Sequence, residues 1–416
     1  MLGLDSESVE MTGSSTRQGP RASRGSVPAL VNRDMLRWAR EAAGFELAAA
    51  AGRIRQKVER LTAWETGESR PTIAQLRSIA GVYKRPLALF YLPGPPHEPA
   101  PPRDFRRLSR DARRALSPEM RVLIRRARLR QQEILELLAE EATRPLSFVG
   151  SARLDDDVLR VGGQIREMLG VGVDEQTSWS DSGKALREWT DAIEETGVFI
   201  FQSSTVSAEE MRAFTLMDEL APIIVLNAKD IPAARIFSLL HEMVHVLLGF
   251  EGTCDLDTPQ IPRTEEQRTE VFCNAVAAET LVPAGHLRRA LDSLGPIRDA
   301  DEVIGAFSRR YKVSREVVAR RLCDLSVISR AAYQSKRRRY AAEYERREDQ
   351  DQKSGFAPTY RMAIRDNGRA FTRLVLSAHA RNSITARDVS ALLGVRLKHL
   401  PKIERDVFFP SARRIA

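Results

Sequence analysis

Residues 238–250, SLLHEMVHVLLGF, form an almost wholly apolar stretch that nevertheless carries His241, Glu242 and His245. The apolar residues occupy every side of a helix, which predicts that this helix lies in a protein core. Burying an ionisable group without a partner costs several kcal/mol, so the three polar side chains need compensation. The question is what compensates them.

The spacing of the two histidines favours a metal ion. His241 and His245 are four residues apart, so both imidazoles lie on one helix face and can bind a single Zn²⁺. Glu242 cannot point along the same radius, but it can hold a water on the open side of the metal and take its proton. A chance HExxH is the alternative, yet a buried helix rarely keeps these residue types without a role. The pattern predicts a catalytic metal centre.

A catalytic zinc needs a third protein ligand and an open fourth position. Residues 269–283, TEVFCNAVAAETLVP, predict a second helix on which Glu270 and Asn274 share a face. We expect Glu270 to bind the metal and Asn274 to orient a histidine ring through a hydrogen bond. Other acidic residues nearby are alternatives as the third ligand: Glu251, Asp255, Asp257, Glu265 and Glu266.

Composition limits the class of protein. The chain has 416 residues, which is enough for two or three domains. No apolar run approaches the ~20 residues that span a bilayer, and the N-terminal stretch lacks the apolar segment of a secretory signal. The three cysteines show no CxxC spacing, which favours a reducing compartment. We expect a cytoplasmic protein without a membrane segment.

The charge is basic and uneven. The formal net charge is +9, and arginines concentrate in residues 101–130 and 335–340. Such clusters can contact nucleic acid or an acidic protein, although a solvated helix face is an equally good interpretation of charge alone.

The N-terminal region predicts a nucleic-acid-binding module. Residues 32–80 alternate short helical patterns with turns, which is the rhythm of a helix-turn-helix domain. The second helix of the motif, about 58–66, is expected to enter the major groove. A helix bundle that binds protein, as in an adaptor, is the alternative. The candidate DNA contacts are Lys57, Val58, Glu59, Arg60, Thr62 and Arg70.

Two known families resemble these segments. Residues 214–250 together with EVFCNAVAAETLVP (270–283) resemble the ImmA/IrrE family of zincin-like metallopeptidases, and the similarity covers about 150–330. It implies His241, His245 and Glu270 as ligands and Glu242 as general base. The chain departs from the family pattern at positions that we interpret as packing positions, where Ala, Phe and Leu are usual: Cys273, Val276 and Thr280.

The N-terminal module resembles the Cro/cI (XRE) type of helix-turn-helix, chiefly in WETGESRPT (64–72). The turn position that usually belongs to glycine is Arg55, so we expect an unusual backbone conformation there. Lys57, Arg60 and Arg70 are suited to phosphates, whereas Glu59 can only accept from cytosine N4.

The expected fold is mostly α with a small β-sheet (α+β), its strands at 197–204, 213–218 and 222–228. The expected segments are a disordered tail (1–31), a helix-turn-helix domain (32–92), a Pro/Arg-rich linker (93–116), a zinc metallopeptidase domain (117–330), a charged spacer (331–355) and a C-terminal helical extension (356–408).

These features together predict a transcriptional regulator with a zinc-dependent endopeptidase domain that cleaves a regulatory, repressor-type protein. Its partners would be DNA and the protein substrate. Zn²⁺ is the expected cofactor, although His₂Glu ligation also suits Mn²⁺. The alternative is a DNA-binding repressor or antitoxin whose metal site is structural or sensory.

Overall fold

The computed structural model describes residues 27–96, 116–141, 143–253, 264–294, 299–348 and 359–409. The expected tail, linker and spacer fall partly outside these ranges, and their boundaries stay predictions. The chain divides into two compact units, Met1–His97 and Glu98–Ala416. Among the described residues, no helix is long and apolar enough to cross a membrane.

The first unit is a helical bundle whose core surrounds Leu36, Leu61 and Trp64. Its second motif helix begins at Val58 and ends at Thr66, followed by the C-cap Gly67 with φ +85°, so the expected range 58–66 is confirmed. Arg55 has φ +56°, as its place in the turn predicted. The helices are α1 (Arg33–Ala42), α2 (Leu47–Arg53), α3 (Val58–Thr66) and α4 (Ile73–Tyr83), followed by a 3₁₀ turn (Leu87–Tyr91).

The second unit contains a sheet of four strands in the order β1-β3-β2-β4. Strand β1 runs parallel to β3, and β2 runs antiparallel to both β3 and β4. Three of the strands were expected, and the fourth is a two-residue strand in a segment without an apolar pattern. The strands are β1 (Phe199–Ser203), β2 (Ala213–Leu216), β3 (Ile223–Asn227) and β4 (Gly252–Thr253).

Helices cover this sheet and account for most of the unit, in agreement with the expected α+β class. Ser117 caps α5 and Pro118 opens it, which is the usual start of a helix. The helices are α5 (Pro118–Ala139), α6 (Val158–Leu169), α7 (Val173–Ser178), α8 (Ser182–Glu195), α9 (Pro232–Leu248), α10 (Glu265–Leu281), α11 (Ala284–Asp292), α12 (Ala300–Tyr311), α13 (Arg315–Asp324), α14 (Arg330–Glu348), α15 (Thr359–Asn367), α16 (Arg369–Ala380), α17 (Ala386–Leu393) and α18 (Leu400–Phe408).

Side chains alternate between the two faces of the sheet, because successive residues of a strand point in opposite directions. Ile200 and Ile224 belong to the core that contains α9 and α10. Phe201 and Val225 belong to a second core, which α5 shares with the C-terminal helices. The sheet therefore separates the helix pair that carries the candidate site from the C-terminal extension.

A buried carboxylate at the end of α8 holds the extension in place. Glu194 accepts hydrogen bonds from the backbone N–H groups of Arg369 and Ala370, in the first turn of α16. Gly368 precedes them with φ +74°, and a Cβ there would overlap the carboxylate and the backbone oxygen of Ile200. Only glycine fits this close approach without a shift of the backbone.

A buried ion pair fixes the end of α10. Arg321 of α13 pairs with Glu279, and its Nε donates to the backbone oxygen of Val282 at 3.0 Å. Both charged side chains are buried, so each depends on the other for compensation. The contact keeps α10 in place against α13.

Candidate metal centre

The site lies where α9 and α10 pack side by side in the first core of the second unit. Helix α9 begins with Pro232 at its first position and ends at Gly249, which has φ +73°. Between these ends, His241, Glu242 and His245 have no solvent exposure. Helix α10 contributes Glu270, which is 1% exposed. The helix expected to be buried is therefore buried, with its ionisable groups in the interior.

Three donor atoms converge at one point. His241 Nε2 and His245 Nε2 are 3.1 Å apart, and the Glu270 carboxylate lies 3.1 Å from His245 Nε2 and 3.3 Å from His241 Nε2. A tetrahedral zinc with bonds of about 2.0–2.1 Å holds its ligand atoms about 3.3 Å apart. The donor set of His241, His245 and Glu270 therefore has both the chemistry and the spacing that fit a zinc ion.

The carboxylate of Glu270 is in the form that binds metal. Burial by itself raises the pKa of this group, but the charge of His241 and the hydrogen bonds from both histidines outweigh it and lower the pKa to about 2. An ionised carboxylate is required for ligation. Glu270 is thus ionised at neutral pH even without a metal ion.

Asn274 orients one of the two rings. Its Oδ1 lies 3.1 Å from Nδ1 of His241, one helical turn after Glu270. Because Nδ1 donates to the amide oxygen, a metal ion would replace the proton on Nε2, whose lone pair then faces the other donor atoms. The structure thus places Asn274 behind the histidine, where the sequence pattern located it.

Replacing Asn274 with Ala is expected to weaken zinc affinity by about 10–100-fold, the usual effect of losing a group that orients a ligand. Competition with a chromophoric chelator measures this change. Asn274→Asp is the matched control, because its carboxylate still accepts from Nδ1 and should retain most of the affinity. Equal affinities of Asn274→Ala and wild type would contradict the role.

The side chain of Glu242 is held by a residue that sequence reasoning missed. The hydroxyl of Thr215, on β2, donates to Oε2 of Glu242 at 2.6 Å, and both side chains are buried. Thr215 lies in the apolar run AFTLMD, where a single hydroxyl among apolar residues is the only signal. Its pairing with Glu242 depends on the contact between β2 and α9, which the sequence pattern does not contain.

The alternative acidic residues lie elsewhere or fall outside the described residues. Glu251 accepts hydrogen bonds from Arg128 and from the backbone N–H of Met217. Glu265 is exposed and Glu266 is half-buried, and both lie in the first turn of α10, about one helical turn before Glu270. Asp255 and Asp257 belong to the segment outside the described residues.

Cys273 is part of the buried core, as a packing position should be, and it also lies close to both histidines. Its sulfur and ring nitrogens of both His241 and His245 all lie within 4.8 Å of one another. The thiol is fully buried. Cys273 is therefore a neighbour of the donor atoms as well as part of the core.

The expected DNA contacts form a surface of the first unit. Lys57 is the N-cap of α3, and Val58, Glu59 and Arg60 in its first turn are exposed, as is Arg70. Thr62 is half-buried, and its hydroxyl donates a hydrogen bond to the backbone oxygen of Val58 at 3.0 Å. Thr62 thus has a local partner, as does Arg60, whose guanidinium carbon lies 5.8 Å from the centroid of the Trp64 ring.

Comparison with known proteins agrees with both units. Residues 193–323 match the family model described as the IrrE N-terminal-like domain, Peptidase M78, and residues 36–90 match the model described as helix-turn-helix. The first match contains α9 and α10, and the second begins within α1 and contains α2 to α4. No curated protein matches the sequence. The chain therefore joins an XRE-type helix-turn-helix to an ImmA/IrrE-like domain of the peptidase type, which confirms the resemblance.

Proposed function

We propose that this protein is a cytoplasmic transcriptional regulator whose second unit is a zinc-dependent endopeptidase that cleaves a repressor-type protein. The observation that carries the proposal is the buried group on α9 and α10. His241, His245 and Glu270 hold three donor atoms at the spacing of zinc ligands. Glu242 is a further buried carboxylate outside that set.

The three donors would hold Zn²⁺, and the same set is compatible with Mn²⁺. A bound zinc ion supplies Lewis acidity, which lowers the pKa of a coordinated water from 15.7 to about 7. A carboxylate beside such a water needs to be only a modest base. The identity of the donors thus supports hydrolysis.

Glu242 would take the proton of the attacking water and return it to the leaving amine. Glu242 directly follows His241 on α9, and His245 lies one turn after His241. The Glu242 carboxylate therefore lies beside the donor set, but its side chain leaves the helix in a different direction from the two histidines. Thr215 fixes one carboxylate oxygen at 2.6 Å, which sets the direction of the other. The chain thus provides a positioned base.

The helix-turn-helix unit suggests where the substrate is found. A DNA-binding unit raises the local concentration of the peptidase near proteins bound to the same DNA. This favours a DNA-bound repressor over a general protein substrate.

Comparison of protein N-termini in cells that carry wild type or Glu242→Gln tests the proposal. New N-termini in a DNA-binding protein that depend on Glu242 are expected, and their absence from zinc-loaded wild type would contradict cleavage.

Replacing Thr215 with Val is expected to slow cleavage by about 10–100-fold, because hydrogen bonds to charged groups contribute about 1.5–3 kcal/mol. Zinc content should stay at the wild-type value, since Thr215 contacts no donor atom of the set described above. Thr215→Ser keeps the hydroxyl and is expected to keep most of the activity. A shifted pH profile of kcat in Thr215→Val would mark a positioning role, and an unchanged rate and profile would exclude it.

DNA binding by the full chain is expected to weaken steeply with salt, because the basic side chains of Lys57, at the N-cap of α3, and Arg70, in the segment after α3, are both exposed. Lys57→Ala and Arg70→Ala should each reduce the slope of log affinity against log salt by about 1. Arg338→Ala, an exposed arginine on α14, is the control. Fluorescence anisotropy with duplex DNA measures the slopes. If neither variant changes the slope but the control reduces it, the DNA-binding surface lies on the second unit and not on the first.

A further inference from the structure

Cys273 occupies a place in the site that the proposed mechanism does not use. It follows Glu270 by three residues on α10, so both side chains lie on neighbouring positions of one helix face. Its sulfur lies within 4.8 Å of ring nitrogens of His241 and His245, and those nitrogens lie within the same limit of each other. Three types of metal-binding atom therefore meet here: imidazole nitrogen, carboxylate oxygen and sulfur.

We propose that Cys273 is a fourth protein ligand, which closes the metal site in the resting protein. This inference rests on the zinc site of the proposed function, and it describes the ligands of that site when the enzyme is at rest. Zinc bonds of about 2.3 Å to sulfur and 2.0–2.1 Å to nitrogen place these ligands about 3.6 Å apart in a tetrahedron. The sulfur is within 4.8 Å of a ring nitrogen of each histidine, so the sulfur would need to come only about 1 Å closer to complete such a set.

The chemistry of the donors supports four-coordination. Four protein ligands are typical of closed zinc sites, whereas three ligands leave a position for water. Cys273, His241, His245 and Glu270 are all buried in the same core. On coordination the S–H bond is replaced by a sulfur–zinc bond and one proton is released, with no change of oxidation state.

The functional consequence is a site that must open before it can work. While the thiolate occupies the fourth position, no water can be activated there, and Glu242 has no proton to accept. Displacement of the sulfur restores the three-ligand arrangement of a catalytic site. Cys273 would therefore hold the endopeptidase inactive until a substrate or another ligand displaces it.

Cobalt substitution of the full chain under reducing conditions tests this ligand. Co²⁺ bound to wild type is expected to show the visible bands of a four-coordinate ion together with a near-ultraviolet thiolate-to-cobalt charge-transfer band. Cys273→Ala should keep the visible bands and lose the charge-transfer band. Cys323→Ala is the matched control and should keep both, because Cys323 lies on α13. Cys254→Ala should also keep both if Cys273 supplies the sulfur; Cys254 itself belongs to a segment outside the described residues.

Proton release gives a second readout. At about pH 6, where a zinc-bound water with a pKa of about 7 stays mostly protonated, binding of Zn²⁺ to wild type should release up to one proton more than binding to Cys273→Ala, as measured with a pH indicator in weak buffer. Circular dichroism verifies that the variant is folded.

Each outcome separates this inference from the proposed function. Visible bands without a charge-transfer band in wild type would overturn the role of Cys273 and leave the metal site intact. Loss of the charge-transfer band in Cys254→Ala instead of Cys273→Ala would also overturn it. Absence of any cobalt spectrum in wild type would overturn the metal site itself, and the proposed function with it.

Discussion

Glu242→Gln is expected to slow peptide-bond cleavage by about 10²–10⁴-fold while the protein keeps its zinc, since general-base catalysis contributes this range. Glutamine has the shape of glutamate and can still accept the hydrogen bond from Thr215, but it cannot take a proton. His241, His245 and Glu270 are unchanged in the variant, so metal binding should be too. The combination of retained zinc and lost turnover identifies a base.

The measurement compares cleavage of the substrate found by N-terminal analysis with zinc content in the same preparations. Glu265→Gln is the matched control, because it makes the same chemical change on an exposed position of α10. Cleavage by Glu242→Gln at the wild-type rate would exclude Glu242 as the base.

Zinc-loaded wild type that cleaves no protein would favour the other candidate function, a repressor or antitoxin with a structural or sensory site. The observation that favours a structural or sensory site is the complete burial of His241 and His245.

The sequence predicted the parts of this protein that depend on local patterns. The range of helix α3 agrees with the expectation, and its C-terminal end carries a local signal, Gly67 at the left-handed C-cap. The core position of α9 followed from its apolar residues, which leave no polar face. The meeting of Glu270 with the histidines could be anticipated because α10 is the next helix after α9 and Glu270 and Asn274 share a face.

The contacts that were missed join elements distant from one another in the sequence. Thr215 reaches Glu242 from β2, and no periodicity predicts which hydroxyl of a strand faces which residue of a helix. Cys273 was interpreted as a packing position because burial alone does not separate a core thiol from a metal neighbour. The place of the extension on the sheet depends on Glu194 and the first turn of α16, which are more than 170 residues apart in the chain.

Glu270→Ala is expected to weaken zinc affinity by more than the about 10–100-fold that is typical for residues behind the ligands, because it removes a ligand itself. The loss should also appear in stability. At free zinc about 1,000 times the Kd, binding to the folded state alone adds about 4.1 kcal/mol to the free energy of unfolding. The variant should show little of this gain.

Thermal unfolding with and without zinc, together with metal analysis, measures both effects. Zinc should raise the Tm of wild type and of Glu265→Ala, the control on the exposed first turn of the same helix, but should raise that of Glu270→Ala much less. Equal Tm values of Glu270→Ala and wild type in the absence of zinc would show that the loss concerns the metal and not the packing of α10. A Glu270→Ala protein that binds zinc with wild-type affinity would exclude Glu270 as the third ligand. The two histidines would then need a different partner, and Cys273, whose sulfur already lies within 4.8 Å of their ring nitrogens, is the nearest thiol described there.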